Sequence, residues 1–139
     1  MDSLDQIVER YHVGLGDFVN GDPMPVLELM SQREDVTLCN PLRPFAQGPR
    51  EVAETTEQAA SHMGGGVHEV EMVTSFATPE LAYTVHKERF RATVDGSEGS
   101  GALRVTTIFR LEDDGGWRIA HRHADPITTP QAMAAVLQK

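Results

Sequence analysis

The spacing of apolar and polar residues changes once along the chain, near Val67, and the change separates two kinds of predicted element. Before it, apolar residues recur three and four positions apart. Leu4, Ile7, Val8, Tyr11, Leu15, Phe18 and Val19 form one such stripe, and Ser3 with Gln6 has the spacing of a capping box, so a first helix is predicted from about Leu4 to Val19. Gly14 and Gly16 inside it imply a close approach to that backbone, most simply by a strand. Asn20-Gly21 ends the helix. Asp22 then caps a second, shorter one, with Pro23 at its first position and Val26, Leu27, Leu29 and Met30 behind it. The stretch from Val36 to Asn40 is β-prone and is stopped by Pro41-Leu42-Arg43-Pro44, which leads into a rigid loop from Phe45 to Gly48. Pro49 opens a third helix with an inner stripe of Val52, Ala53, Thr56, Ala59, Ala60 and Met63, and Gly64 to Gly66 terminates it.

Beyond Val67 the period is two. Long strands are predicted over roughly His68 to Thr78, Leu81 to Val94 and Ala102 to Glu112, with a closing strand that starts at Trp117. Pro79-Glu80, Asp95 to Gly101 and Asp113 to Gly116 supply the turns. Helices followed by a run of antiparallel strands define an α+β fold rather than a parallel α/β sheet. With 139 residues the chain is one domain, in which the tail from 128 to 139 is peripheral.

Charge narrows the partners. A formal net charge of -9 opposes nucleic-acid and anionic-membrane binding, because a phosphate surface repels it at long range. The acidic start resembles neither a signal nor a transit peptide, and no apolar run approaches a membrane span. Cys39 is the only cysteine, which excludes an internal disulfide and suits a cytoplasmic protein.

Strand alternation then assigns candidate chemistry. It puts Trp117, Ile119, His121 and His123 on one face of the last strand, with Arg118, Ala120 and Arg122 on the other. On the strand from Leu81 to Val94, His86 and Glu88 share a face with Ala82, Thr84 and Phe90. Where these two faces line one hollow, His121, His123, His86 and Glu88 converge, and a carboxylate bonded to imidazole makes an acid/base pair. The alternative is that the histidines are satisfied structural groups. The same residues have spacing that permits a metal, but the strand pattern explains the two histidines without one, so no metal is expected. His12, His62 and His68 read as helix-surface or strand-end residues. Leu103, Val105, Thr107 and Phe109 form the core face of their strand, which sends Arg104, Thr106 and Arg110 to the convex side.

Several segments carry a family resemblance: Glu9-Arg10-Tyr11, Asn20-Gly21-Asp22, Asp35 through Pro41, Leu103-Arg104-Val105-Thr106, and Gly116-Trp117-Arg118-Ile119-Ala120-His121-Arg122-His123-Ala124-Asp125-Pro126. In their order and spacing the chain resembles the SnoaL-like and ketosteroid-isomerase-like branch of the nuclear transport factor 2-like superfamily. The resemblance implies a cone-shaped α+β fold, a bent sheet wrapped around the first and third helices, one pocket, and a homodimer through the convex sheet face. It also implies that Asn40 stands where ketosteroid isomerase has its aspartate base, so that mechanism does not carry over, since an amide does not exchange a proton at neutral pH. Tyr11 lies near the position of that enzyme's oxyanion-stabilising tyrosine.

The function expected is binding of a small apolar or amphipathic molecule, without metal, nucleotide or redox cofactor. Tyr11, Leu15, Phe18, Asn40, Phe45 and the inward face of the last strand, from Trp117 to His121 and His123, would line the pocket. In an enzyme of isomerase or cyclase type, His121 or His123 with Glu88 would move a proton beside a carbonyl or enol, and Tyr11 or Asn40 would steady the oxyanion. The rival is a non-catalytic binding or dimerisation module. An enzyme requires a carboxylate within hydrogen-bond reach of an imidazole at the cavity wall; a module requires a wide apolar convex sheet.

Overall fold

A computed structural model describes residues 1–137. The elements run α1 (Leu4–Phe18), α2 (Met24–Leu27), β1 (Thr37–Asn40), β2 (Arg43–Gln47), α3 (Pro49–Ser61), β3 (Met63–Ala77), β4 (Leu81–Val94), β5 (Ser97–Leu111) and β6 (Trp117–Pro126), followed by a short 3-10 turn at Met133–Val136. The fold is α+β as expected. Its strands form one six-stranded sheet in the order β2-β1-β6-β5-β4-β3, antiparallel except where β1 meets β6.

The start of α1 follows from its sequence: Ser3 Oγ accepts from Gln6 N, and the Gln6 side chain accepts from Ser3 N. The inner face of α1 buries Ile7, Tyr11 and Leu15 against Val26 and Leu29 from the second helical segment, and against Phe109 and Ile119 from the sheet. The element close to Gly14 is α2 rather than a strand, since a Cβ there would meet Val26 Cγ2 at 3.2 Å. At its C-terminal end α1 is clasped to β3 by Asn20, whose Oδ1 accepts from Gly66 N at 2.8 Å and whose Nδ2 donates to Gly66 O at 2.9 Å.

Three boundaries differ from the pattern-based expectation. The segment expected as a rigid loop contains β2, because Pro44 sits on an edge strand where its missing N–H leaves no gap in the ladder. Gly64 to Gly66 do not terminate α3; they belong to β3, and α3 already ends at Ser61 with His62 as its C-cap. The β4–β5 turn is the two residues Asp95-Gly96 and not the longer span to Gly101. Both have positive φ, 50° and 84°, as a tight hairpin turn of the primed kind requires.

One irregularity governs the site. In the β5–β6 ladder Phe109 pairs with Ile119 and Ile108 with His121, so Ala120 is an extra residue on β6. A bulge of this kind shifts the alternation by one, and every later side chain changes face. Ile119 is inward, but beyond the bulge it is Arg122 and Ala124 that face inward, while His121 and His123 turn to the convex side.

The clasp at Gly66 makes a testable contrast. A Cβ on Gly66 would stand 2.5 Å from Val19 O, whereas one on Gly64 would have no heavy atom within 4 Å. Gly66→Ala is expected to lower unfolding stability in urea by about 1–3 kcal/mol, the usual effect of overpacking. Gly64→Ala is expected to be neutral or slightly stabilising, through the reduced freedom of the unfolded chain.

Candidate functional site

Between the helices and the concave sheet lies a cavity of about 500 Å³, within the size range of small-molecule sites. Leu15, Phe18 and Val19 from α1, Val26 and Met30 from the second helical segment, Leu38 from β1, Phe90 from β4 and Leu103 from β5 give it apolar walls. Asn40, Pro41 and Leu42 border it at the β1–β2 turn, and His62 with Asp95 borders it where α3 meets the β4–β5 turn. His62 Nδ1 and Asp95 Oδ1 are 2.5 Å apart, and Asp95 N donates to His62 O.

One wall is charged. Glu88 of β4, 2 % exposed, faces Arg122 of β6 across the intervening β5, and Arg122 donates from Nη1 to Oε2 at 2.6 Å and from Nη2 to Oε1 at 3.1 Å. Nη1 also donates to Tyr11 Oη at 2.5 Å. Since that oxygen accepts from Arg122, the Tyr11 hydroxyl hydrogen is free to go to Thr107 Oγ1, 2.9 Å away. His68 Nε2 lies 3.1 Å from Glu88 Oε1 and His86 Nε2 lies 2.7 Å from Oε2. Burial by itself raises the pKa of a carboxyl group, but the Arg122 charge and hydrogen bonds from His68, His86 and Arg122 outweigh it and hold Glu88 well below the usual carboxylate range. Glu88 is therefore ionised at neutral pH and can only accept. Both imidazoles must then carry hydrogen on Nε2, which leaves Nδ1 of each, when neutral, as a lone pair. Burial opposes the charge on Arg122, yet Glu88 and Tyr11 raise its pKa still further, and burial pushes the Tyr11 hydroxyl up.

The residues expected at the site divide into three groups. Leu15, Phe18, Asn40 and Glu88 line the cavity. Tyr11 and His86, each 0 % exposed, lie behind its polar wall and support it. The others are elsewhere. His121, on the convex side of the bulge, bonds through Nδ1 to Thr37 Oγ1 at 2.8 Å, and burial together with neighbouring His123 lowers its pKa. His123 pairs with Asp125 at 2.9 Å on the same outer surface. Phe45 alternates outward on edge strand β2 and is 61 % exposed, and Trp117 lines a separate groove beside the N-terminus, with Ile7 and Leu29. The expectation that the last strand delivers two imidazoles to the pocket is thus corrected, and the bulge at Ala120 is the reason.

Pattern reading missed Arg122, because uninterrupted alternation turned it outward, and His68, because it stood at a predicted strand end. The structure continues β3 back to Met63 and pairs His68 with Phe90, which puts its side chain, 3 % exposed, on the cavity wall. The alternation of His68, Val70 and Met72 was the available signal. Among the described residues no group of three or more His, Cys, Asp or Glu side chains is arranged to hold a metal, and no helix is long and apolar enough to cross a membrane.

Comparison with known proteins agrees with the fold. The SnoaL-like domain family matches residues 15–128, and the chain belongs to that family. Among solved structures, a candidate calcium/calmodulin-dependent protein kinase type II association domain from Thiobacillus denitrificans superposes with a TM-score of 0.77 at 16 % identity, covering 92 % of this chain and 98 % of that one. An NTF2-like superfamily protein from Salmonella enterica gives 0.74 at 16 % identity, over 91 % and 90 % of the two chains. A ketosteroid isomerase-like protein from Erwinia carotovora gives 0.72 at 22 % identity, over 91 % and 97 %. At such identities the likeness is one of fold. No functionally curated protein matches the chain.

The polar wall has a pH signature. A carboxyl whose folded pKa is depressed contributes stability above its unfolded value, about 4.3, and loses it as pH falls toward the folded value. Wild type is expected to lose stability steeply below that point, with Glu88 a principal contributor. Glu88→Gln leaves Arg122 buried without a counter-charge and is expected to cost about 3–5 kcal/mol at pH 7 while flattening the acid limb, as measured by denaturation across pH.

Proposed function

We infer that the chain is a small-molecule-binding protein in which His68 is the proton-transfer group, acting on an apolar compound that carries a carbonyl or enol. One observation carries this reading: an imidazole oriented by a buried carboxylate, His68 Nε2 to Glu88 Oε1 at 3.1 Å, on the wall of an otherwise apolar cavity. Glu88 accepts two hydrogen bonds from Arg122 and one from each of two histidines, so it orients and does not itself exchange a proton. The bond to Glu88 uses Nε2, which leaves His68 Nδ1 for the ligand. That lone pair takes a proton from the carbon beside the carbonyl, Glu88 stabilises the imidazolium that results, and the proton returns to a second position. Asn40 lines the cavity with its Oδ1 already accepting from Leu42 N, so its amide N–H groups are free to meet the developing oxyanion. Tyr11 is committed to Arg122 and Thr107 and takes no part in this step.

The test uses 2-decalone and 2-naphthol as probes. Both are expected to raise the melting temperature of wild type, and of His121→Ala equally, because that ring faces away from the cavity. In D₂O, wild type is expected to accelerate deuterium exchange beside the 2-decalone carbonyl, followed by NMR, by about 10²–10⁴-fold over His68→Gln, the usual contribution of a general base. Equal exchange rates in two proteins that both bind the probe would remove His68 from the role.

A second reading, association with another copy of the chain, is favoured by the outer sheet face. There Phe76, 58 % exposed, stacks on half-exposed Tyr83 with ring centroids 5.9 Å apart, next to Leu81. The resemblance to a candidate association domain supports it. Sedimentation is expected to give a dimer for wild type and a monomer for Tyr83→Asp; identical profiles would count against that face.

A further inference from the structure

Four buried side-chain atoms lack a hydrogen-bond partner among the described residues: His12 Nε2, Thr84 Oγ1, His86 Nδ1 and Arg110 Nε. The first three belong to one neighbourhood, behind the polar wall. His12 of α1 packs edge-on to His86 with ring centroids 5.6 Å apart. Thr84 precedes His86 by two residues on the same inward face of β4, and the two are 4 % and 0 % exposed. Buried polar atoms are nearly always satisfied, so unpaired ones gathered in one place mark a site for a bound molecule.

We propose that His12, Thr84 and His86 bind one internal water molecule, which fills the Nδ1 position that the bond to Glu88 leaves open on His86 and so steadies that ring beside Glu88. That this matters to His68 rests on the function proposed above; the water site itself does not.

The hydrogen-bonding inventory fits. Because Glu88 is ionised, His86 donates to it from Nε2, which leaves Nδ1, in the neutral ring a lone pair, for another partner. Burial, and then the neighbouring His86, keep the His12 ring below its ordinary pKa and hence neutral near pH 7, although Glu88 pulls the other way. A water there donates to His86 Nδ1 and to Thr84 Oγ1, and accepts from His12 Nε2. These three bonds are the usual complement of a buried water. A metal is a poorer match, since the set offers two imidazoles and a hydroxyl with no carboxylate of its own. Glu88 keeps the hydrogen of His86 on Nε2, which turns the Nδ1 lone pair toward the water. In the other tautomer an Nε2 lone pair would face Glu88 Oε2 at 2.7 Å, a repulsive contact. His12 and Thr84 are thus positioning residues: they touch no ligand and act through His86.

Histidine ring NMR on ¹⁵N-labelled full-length protein at pH 7.5 tests this. Wild type is expected to show His86 protonated at Nε2, an Nδ1 resonance displaced from the free lone-pair position by an accepted hydrogen bond, and cross-relaxation from a long-lived water to the His86 and His12 rings. Thr84→Val, which keeps the shape and removes one partner, is expected to weaken the water signal and move the His86 Nδ1 resonance toward the free lone-pair position, with Nε2 still protonated; His12→Phe is expected to do the same. A free lone-pair shift in wild type, no water cross-relaxation, or His86 resonances in Thr84→Val that superimpose on those of wild type would overturn the proposal. So would displacement of the His12 and His86 resonances by added Zn²⁺ alone, which would make the site a metal site. The wild-type spectra decide even where a variant fails to fold, and no catalytic ligand is needed.

Discussion

The structure depends on an ion pair that crosses a strand. Glu88 and Arg122 belong to β4 and β6, with β5 between them, and they meet because the sheet is bent strongly enough to bring their side chains together on its concave side. Taking two charges out of water costs several kcal/mol per ion unless their hydrogen-bonding capacity is filled. Here His68, His86 and Arg122 fill the carboxylate, and Tyr11 takes a further N–H of the guanidinium. Through these partners α1, β3, β4 and β6 are tied to one point. The same saturation that makes the pair tolerable makes Glu88 a fixed anchor for the two histidines beside it.

The bulge at Ala120 and the ion pair require each other. Without the extra residue, β6 would continue its alternation, Arg122 would face outward, and Glu88 would be left as a buried anion with no cation. With it, two histidines are displaced to the convex face and settle on Thr37 and Asp125. Bulges concentrate near functional sites because they re-aim side chains. In this chain a single inserted residue exchanges a neutral or weakly basic lining for a permanent positive charge.

The apolar remainder of the cavity sets what that charge can do. A site with one polar wall orients a ligand by one end and excludes water from the rest, which strengthens every electrostatic contact inside. Solved structures that share this fold are named for roles as different as kinase association and ketosteroid isomerisation, so any chemistry belongs to the wall and not to the fold. The wall of this chain is a histidine–carboxylate–guanidinium arrangement with Asn40 at the rim, and it differs from the aspartate-based arrangement that the family resemblance brings to mind.

The helical stripe of α1 with its capping box, the change to period two, the inward face of β4 with His86 and Glu88, and the core face of β5 were legible in the order of the residues. These are local properties: each follows from the periodicity of one uninterrupted segment. Which face of the last strand looks inward, that His68 belongs to the cavity, and that Phe45 and Trp117 do not, emerge only when the strands are paired. The physical reason is register. A bulge is defined by two residues opposing one on a neighbouring strand, and the Trp117–Pro126 segment contains the same residues in the same order whether or not Ala120 is the extra one. Its place is set by the buried contacts that become available across the sheet, and those exist only once the strands have been brought together.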